Sequence, residues 1–423
     1  MPSQQTHPPI AYLAGSFPSR SETFVYREVR ELRRRGWKVH TVSLNEPQRG
    51  VAELRDLYGG LVVVYGSGFT RTIAAALREI IVHPVRSVAT FATGLRDGVS
   101  PEERAPVKER VKVLGQALAG IGLAGRLRRI GVRHLHCHFA HAPATVGMYA
   151  ARQLGATFSF VGHANDLFQR RRLLGTKLRR AAFVSCISEW HKDLYRSIEP
   201  SRDGAYRVIR CGVDADAGSP RSGAAPSVPT LRVLTVCRLV EKKGVDTLIR
   251  ALANTGTQHR IDWRLTVAGD GPQREELQQL ARSLSVAARV EFLGAVDNTS
   301  VPALLSAADV FALPCRVDRN GDRDGIPVAL IEAMAAGVPV VAGELPAITE
   351  LVRDDDTGLL VDAATPAPTA AALARLATRP ADRHRLGQSG RRWVAEEFSL
   401  STNIDRLERA LTDSLTPPGA PPH

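Results

Sequence analysis

The chain has 423 residues, of which 44% are hydrophobic and 23% charged, so it is a globular protein long enough for two or three domains. No apolar run approaches the ~20 residues of a membrane-spanning helix, and the polar N-terminus lacks signal-peptide features, so we expect a soluble cytoplasmic protein. The net charge of +13 suits an anionic membrane surface or a phosphate-bearing substrate. Nucleic acid is disfavoured, because aromatic residues for base stacking make up only 5% of the chain.

The first half of the chain alternates short apolar runs with helical patterns. The predicted strands are 10–14, 39–44, 61–65, 134–139, 157–162 and 183–187. Strands that alternate with helices form a parallel sheet with both faces covered. We therefore predict that residues 1–213 form a Rossmann-like domain.

A long amphipathic helix is predicted between residues 107 and 121. Its apolar residues recur at steps of three and four: Val107, Val111, Leu114, Leu118 and Ile121. Its other faces are basic, with Lys108, Arg110 and Lys112. Two interpretations stay open: a solvated helix packed on its own domain, or a peripheral contact with an anionic membrane.

Residues 214–230 are rich in Gly, Pro, Ala and Ser without periodicity, which is typical of an interdomain linker. After them the alternation resumes, with predicted strands at 231–237, 264–268, 290–293, 310–313 and 338–342. Residues 231–390 are therefore predicted to form a second doubly wound domain. A cleft between the two domains would bind the ligand at the carboxyl ends of the strands. A final helix is predicted at 391–411, and the tail 416–423 is expected to be disordered.

Two loops of the second half carry the chemistry of an anion site. Arg238 follows a strand and Lys243 precedes the next helix, so both cations lie at the carboxyl edge of the sheet. There they could grip a diphosphate, Arg through paired donors and Lys as a point charge. After the next strand, Gly269 and Gly271 form a tight turn that lets the backbone approach a ligand closely.

The segment D-G-I-P-V-A-L-I-E-A-M-A begins at Asp324 and contains a helix start. Pro327 fits the first helical position, so the helix would aim free N–H groups at phosphate oxygens. Glu332 lies within this helix among apolar residues, which disfavours a merely solvated charge. Carboxylates such as Asp324 and Glu332 suit sugar hydroxyls, because they accept forked hydrogen bonds.

Histidines follow two strands of the first half. His136 and His138 alternate on one strand face, and His141 comes after that strand ends. A zinc site is one interpretation, but polar residues that face an acceptor cleft are favoured, and we predict no metal. His163 ends the strand 157–162, and Asp166 follows it.

Taken in this order, the motifs R-L-x-x-x-K-G, G-D-G-P and acid-x7-Glu resemble the retaining GT-B glycosyltransferases of family 4, over nearly the whole chain. The first half, with S-E-T-F-V and H-C-H-F-A-H, looks like the branch that builds colanic acid and other exopolysaccharides. The resemblance implies an α/β GT-B fold of two Rossmann-like domains that face a cleft. It also implies that no metal cofactor is required.

The resemblance also implies roles for single residues. Arg238 and Lys243 would neutralise the donor diphosphate, Glu332 would bind the ribose, and Asp324, where the family usually has Glu, would meet the donor sugar. His163 would lie beside the reacting sugar, so the expected catalytic residues are His163, Arg238, Lys243 and Asp324. The remaining expected donor contacts are Gly15, Gly269, Gly271, Gly325, Ile326 and Val328. His138, His141 and Asp166 are candidates on the acceptor side, in domain 1–213, onto which helix 391–411 would pack.

The function predicted from this resemblance is hexosyl transfer, with retention, from a nucleoside-diphosphate sugar, UDP-linked, to a glycan or lipid-linked oligosaccharide in polysaccharide biosynthesis. Three alternatives stay open. The acceptor could be a small soluble molecule such as an antibiotic aglycone. The enzyme could instead be a UDP-sugar epimerase, or the chain could be a sugar-nucleotide-binding protein with a degenerate site.

Overall fold

A computed structural model describes residues 7–19, 22–48, 52–99, 106–169, 171–214, 230–258 and 260–416. The chain divides into two compact units: Met1–Ile209 with Ile404–His423, and Arg210–Asn403. Most of the predicted linker 214–230 and nearly all of the predicted disordered tail 416–423 lie outside the described residues. Within those residues, no helix is both long and apolar enough to cross a membrane.

The first unit is built on a parallel seven-stranded sheet in the order β3-β2-β1-β4-β5-β6-β7. Its strands are β1 (Ile10–Ala14), β2 (Val39–Ser43), β3 (Val62–Val63), β4 (His134–His138), β5 (Thr157–Gly162), β6 (Phe183–Cys186) and β7 (Tyr206–Val208). Its helices before the second unit are α1 (Thr23–Arg34), α2 (Phe69–Val82), α3 (Pro84–Gly98), α4 (Val107–Arg128), α5 (Ala142–Leu154), α6 (Asn165–Phe168), α7 (Leu174–Arg180) and α8 (Glu189–Ile198). The strands β1, β4 and β6 are buried along their whole length, as expected for a sheet covered on both faces.

The second unit has a parallel six-stranded sheet in the order β10-β9-β8-β11-β12-β13. Its strands are β8 (Thr230–Val236), β9 (Asp262–Ala268), β10 (Val290–Gly294), β11 (Val310–Leu313), β12 (Val340–Gly343) and β13 (Leu359–Val361). The remaining helices are α9 (Val245–Gln258), α10 (Arg274–Ser283), α11 (Val301–Ala307), α12 (Val328–Ala335), α13 (Pro366–Thr378), α14 (Pro380–Glu397) and α15 (Leu400–Leu415). Two doubly wound parallel sheets confirm the predicted fold class.

The C-terminal region differs from the single helix predicted at 391–411. The chain instead forms α14 and α15, which are separated by Phe398 and Ser399. Phe398 is fully buried, and Ser399 accepts a hydrogen bond through its Oγ from the backbone N–H of Thr402 at 3.2 Å. The buried ring anchors the break, and the serine oxygen caps the start of α15. The end of α15 belongs to the first unit, where Glu408 accepts a hydrogen bond from Trp37 at 2.7 Å.

Candidate active site

Loops at the carboxyl edge of the second sheet hold the predicted anion-binding residues. Gly244 ends the loop after β8 with a φ of +67°, and a Cβ there would lie 2.0 Å from the carbonyl oxygen of Pro314. Gly269 follows β9 with a φ of +138°, and a Cβ there would lie 1.8 Å from the carbonyl oxygen of Cys237. Only glycine fits such approaches. The loop after β8 therefore packs directly, backbone against backbone, on the loops after β9 and β11.

Lys243 and Asp324 form the central ion pair of this region. Lys243 Nζ lies 2.8 Å from Asp324 Oδ2, and Lys242 Nζ lies 3.4 Å from Asp324 Oδ1. The Cys315 thiol donates to Asp324 Oδ2 at 3.2 Å. Burial alone would raise the pKa of Asp324, but Lys243 and Lys242 hold it below its ordinary value. Burial alone would also lower the pKa of Lys243, but Asp324 raises it well above the ordinary value, so both groups are charged at neutral pH.

This pairing adds a role for Asp324 that the sequence did not predict. The resemblance assigns Asp324 to the donor sugar, whereas the structure turns both of its carboxylate oxygens toward lysine ammonium groups. It therefore fixes the ammonium of Lys243 at the edge of the sheet. Lys243 and Asp324 are 81 positions apart in the chain, so no local sequence pattern predicts that they form an ion pair. Contact with a sugar hydroxyl stays a prediction.

The other predicted donor residues lie in the same unit. Arg238 is exposed two residues after the end of β8, and Gly271 fits against Leu239, whose carbonyl oxygen would lie 2.4 Å from a Cβ. Gly325 and Ile326 are buried in the loop before α12, and Glu332 is half-buried within that helix. α12 begins at Val328, so Pro327 is the N-cap residue and not, as predicted, the first residue of the helix. Strands β8 and β11 are neighbours, so these groups meet at one edge of the sheet.

On the first unit, the loop that carries His163 is tied down by Asp166. The backbone N–H groups of His163 and Ala164 donate to Asp166 Oδ1 at 3.1 and 2.8 Å, and that of Ala140 donates to Asp166 Oδ2 at 2.7 Å. Asp166 is buried. The prediction that Asp166 faces an acceptor is therefore corrected: backbone amides occupy its carboxylate, which joins the loops after β4 and β5.

His138 also differs from its predicted acceptor-facing position. It is fully buried in β4, with Nε2 3.1 Å from Glu28 Oε2, and the Tyr12 hydroxyl donates to the same oxygen at 3.1 Å. The polar face of β4 is thus turned into the unit, where α1 supplies its partner. His141 is half-buried just after β4, and its ring stacks on Phe139 at 5.6 Å between centroids.

His163 is half-buried at the end of β5, with its ring 4.4 Å from that of Phe24 between centroids. Burial lowers the pKa of His163 to about 4, although Asp166 opposes the shift. The imidazole is therefore neutral at pH 7, and it can donate or accept a hydrogen bond. Gly15 follows β1, where its carbonyl oxygen accepts the backbone N–H of Asn45 at 2.9 Å. Its approach to a diphosphate stays a prediction.

Glu28, His136 and His138 place one possible ligand atom each within 4.8 Å of one another, which suits a divalent cation. Protein partners already contact each residue: His136 Nδ1 lies 2.7 Å from Ser159 Oγ, and Glu28 Oε2 contacts both His138 and Tyr12. His138 Nδ1 is buried without a hydrogen-bond partner, so these bonds do not satisfy every ring nitrogen of the group, and the absence of a metal requirement stays a prediction. We assign no step of the chemistry to a metal.

Comparison with known proteins decides the family. Residues 226–393 match the family described as glycosyl transferases group 1. The alpha-D-kanosaminyltransferase of Streptomyces kanamyceticus is 30% identical over 306 residues, which cover 67% of this chain and 78% of that enzyme. The chain belongs to the group 1 glycosyltransferases. The exopolysaccharide branch suggested by the sequence is represented among the relatives of this glycosyltransferase.

Other relatives are similar over shorter regions. A GDP-mannose-dependent alpha-(1-6)-phosphatidylinositol monomannoside mannosyltransferase of Mycobacterium tuberculosis is 38% identical over 210 residues, 46% of this chain and 53% of that enzyme. The putative colanic acid biosynthesis glycosyltransferase WcaL of Escherichia coli is 41% identical over 174 residues, 40% of this chain and 42% of that protein. The chain thus spans about half the length of these two relatives.

A solved structure confirms the GT-B fold of this glycosyltransferase. The sucrose-phosphate synthase from Thermosynechococcus elongatus superposes with a TM-score of 0.71 at 20% sequence identity, over 95% of this chain and 98% of that one. At this level of identity the likeness concerns the fold alone. The site therefore has to be interpreted from the residues of this chain.

Glu28 gives the stability of the glycosyltransferase a testable pH dependence. Burial raises the pKa of Glu28 from its ordinary value of 4.5 to about 7. Between these two pH values the folded protein keeps a proton on Glu28 that the unfolded chain releases. Stability from this group should therefore fall as the pH rises from 4.5 to above 7. We expect Glu28→Gln to gain roughly 3 kcal/mol on the wild type between pH 5 and pH 8, measured by urea unfolding.

Glu31, on the same helix, is the matched control. Hydrogen bonds from Arg34 lower the pKa of Glu31 to about 2, so it is ionised in both states throughout that pH range. Glu31→Gln should shift stability by a constant amount from pH 5 to pH 8. A Glu28→Gln profile parallel to that of the wild type would contradict the buried, protonated carboxyl.

Proposed function

We propose that this group 1 glycosyltransferase transfers a sugar from a nucleoside-diphosphate sugar to a hydroxyl of a glycan or lipid-linked oligosaccharide, with retention of configuration, in bacterial polysaccharide biosynthesis. One observation carries the proposal: a charged lysine, Lys243, is fixed at the carboxyl edge of a parallel sheet, where the exposed Arg238 and the start of α12 also lie. Such an edge is where doubly wound sheets bind ligands.

The proposed chemistry rests on the charge of the leaving group. As the bond to the sugar breaks, the diphosphate gains negative charge, which Lys243, Arg238 and the N–H groups at the start of α12 would stabilise. Asp324 would hold the ammonium of Lys243 in place. Attack from the face that the diphosphate leaves would need no separate nucleophile and would retain configuration. A neutral His163 would orient the sugar or the acceptor hydroxyl.

The nucleotide base separates two candidate donors. A UDP-linked sugar is the donor that we expect from the sequence analysis, whereas the similarity to a GDP-mannose-dependent mannosyltransferase favours GDP-mannose as a second candidate. Calorimetric titration with UDP and GDP, followed by hydrolysis assays with UDP-glucose, UDP-galactose and GDP-mannose, decides between them. Absence of binding to every nucleoside diphosphate would contradict the proposal and support a degenerate site.

The acceptor and reaction class are tested with the donor that binds. Similarity to a putative colanic acid biosynthesis glycosyltransferase favours a growing polysaccharide, and similarity to an alpha-D-kanosaminyltransferase favours a small acceptor as the alternative. Incubation with each acceptor class, analysed by mass spectrometry, separates the two. Conversion of the donor sugar to its epimer without any acceptor would instead identify a UDP-sugar epimerase.

Glu332 provides a test of nucleotide orientation. If its carboxylate accepts hydrogen bonds from the ribose, Glu332→Gln should weaken nucleoside diphosphate binding by roughly tenfold, because a charge-assisted hydrogen bond is lost. The wild type should also bind the 2′-deoxy nucleotide more weakly than the ribonucleotide, whereas Glu332→Gln should discriminate less. Calorimetry measures both, with the exposed Glu275→Gln as control. Unchanged discrimination in Glu332→Gln would contradict the assignment.

A further inference from the structure

Helices α2 and α3 face their apolar residues away from the core. The exposed apolar side chains are Phe69, Ile73, Leu77, Ile80, Ile81 and Val82 on α2, and Val85, Val88, Phe91 and Leu95 on α3. Three of them next to the turn between the helices are 68–82% exposed: Ile81, Val85 and Val88. A surface helix normally turns its apolar stripe toward the core, so these two helices are inverted.

The inward faces of the same helices are polar, and their partners fix the inversion. Glu79 accepts a hydrogen bond from Arg128 Nε at 3.1 Å, and Asp97 pairs with both terminal nitrogens of Arg180 at 2.6 and 2.8 Å. Thr90 donates to the side chain of Gln153 at 3.0 Å. Rotating either helix to bury its apolar stripe would leave these buried polar groups unpaired, at a large energetic penalty.

The first half of α4 extends this surface. The sequence leaves open whether the stripe over residues 107–121 packs on its own domain or contacts a membrane. In the structure only the end of the stripe is buried: Ile121 is buried, whereas Val107 is 73% exposed and Val111 and Leu118 are also exposed. Helices α2, α3 and α4 pack on one another. We refer to the exposed apolar residues of α2, α3 and the first half of α4 as the outer helical surface. Its size exceeds what scattered surface residues explain.

The exposed charged side chains of the outer helical surface are positive. Exposed basic side chains on the three helices are Arg71, Arg78, Arg86, Arg96, Lys108 and Lys112. The only acidic residues of α2 and α3 are Glu79 and Asp97, which are buried and paired with arginines, and the first half of α4 adds Glu109, which is half-buried. An apolar surface bordered by cations and free of exposed carboxylates on α2 and α3 suits an anionic lipid interface.

We propose that the outer helical surface docks on an anionic lipid bilayer. Its apolar side chains would insert at the boundary between the headgroups and the acyl chains, and its arginines would contact the lipid phosphates. A second copy of this chain is the competing occupant. A two-fold contact would bring the same arginines of both copies together between molecules that each carry a net charge of +13, which opposes association. The proposal concerns a surface other than the donor site and does not depend on the proposed function.

Vesicle flotation of the full chain tests the proposal. We expect the wild type to bind vesicles that contain phosphatidylglycerol and to bind pure phosphatidylcholine weakly, with binding reduced by salt. The combined variant Ile81→Ser, Val85→Ser and Val88→Ser should lower binding at least about tenfold, because it removes the most exposed apolar groups. The matched control combines Ile198→Ser and Leu293→Ser, which are exposed apolar positions outside the surface.

A second variant separates charge from apolar insertion. Arg71→Gln, Arg78→Gln and Arg96→Gln together should lower binding to anionic vesicles at least about tenfold, and Arg250→Gln with Arg282→Gln should not. Circular dichroism checks that the variants are folded. Absence of wild-type binding to anionic vesicles, or equal binding by the apolar and control variants, would overturn the proposal. So would a dimer, detected by analytical ultracentrifugation without lipid, that the triple serine variant dissociates.

Discussion

Replacement of Lys243 by alanine should lower kcat/KM for sugar transfer by about 10²–10³-fold, the loss typical of removing one preorganised group that stabilises transition-state charge. The ammonium is held 2.8 Å from Asp324, so its position does not have to be organised during the reaction. The loss should appear mainly in kcat if the leaving diphosphate gains charge in the transition state. Steady-state kinetics with the donor identified by calorimetry measures the effect.

Removal of Lys243 also leaves Asp324 buried with one lysine fewer, so a loss of stability has to be separated from a loss of catalysis. Lys243→Ala combined with Asp324→Asn removes both charges, and it should recover part of the stability but none of the activity. Lys242→Ala is the matched single control, because it also removes a lysine paired with Asp324 but leaves Lys243 in place. Lys242 pairs with Asp322 at 3.0 Å as well as with Asp324. Near-normal turnover in folded Lys243→Ala would remove the basis of the proposed function.

The sequence predicted the sheets well, because central parallel strands are short apolar runs. The bounds of β1, β5 and β11 agree with the structure, since each run stands between polar or glycine-rich segments. Strands β7 and β13 were not predicted, because each has only three residues. Strand β3 is shorter and also lies at an edge, but it was predicted because the apolar run 61–65 extends beyond its two paired residues.

Side-chain orientation was predicted less well, because it depends on partners distant in sequence. The apolar periodicity of a helix does not reveal which face is buried, and a buried polar network around Gln153, which contacts Glu79 of α2 and Thr90 of α3, turns both helices outward. In the same way, Asp166 is drawn onto backbone amides by the loop after β4, and Asp324 onto Lys243. Motif order located the candidate site, but these long-range pairs determine what each carboxylate can contact.

Gly269→Ala should destabilise the second unit severely, by roughly 3 kcal/mol or more, and should abolish nucleotide binding. At a φ of +138° an alanine is strained, and its Cβ would lie 1.8 Å from the carbonyl oxygen of Cys237. Because that atom belongs to the backbone, no side-chain rotation can relieve the clash, and the loops after β8 and β9 must separate. Arg238 follows Cys237 directly, so the proposed diphosphate site should lose its geometry with the fold of the loop.

Gly131→Ala distinguishes this clash from the general penalty of a left-handed backbone. Gly131 has a φ of +71°, but no atom lies within 4 Å of the Cβ that alanine would add, so the expected loss is about 1–2 kcal/mol. It lies in the first unit, and nucleotide binding should be unaffected. Urea unfolding and calorimetry on both variants measure the difference. Equal losses of stability in the two would mean that close packing against Cys237 does not govern Gly269, and that the loops at the sheet edge are looser than a preorganised anion site requires.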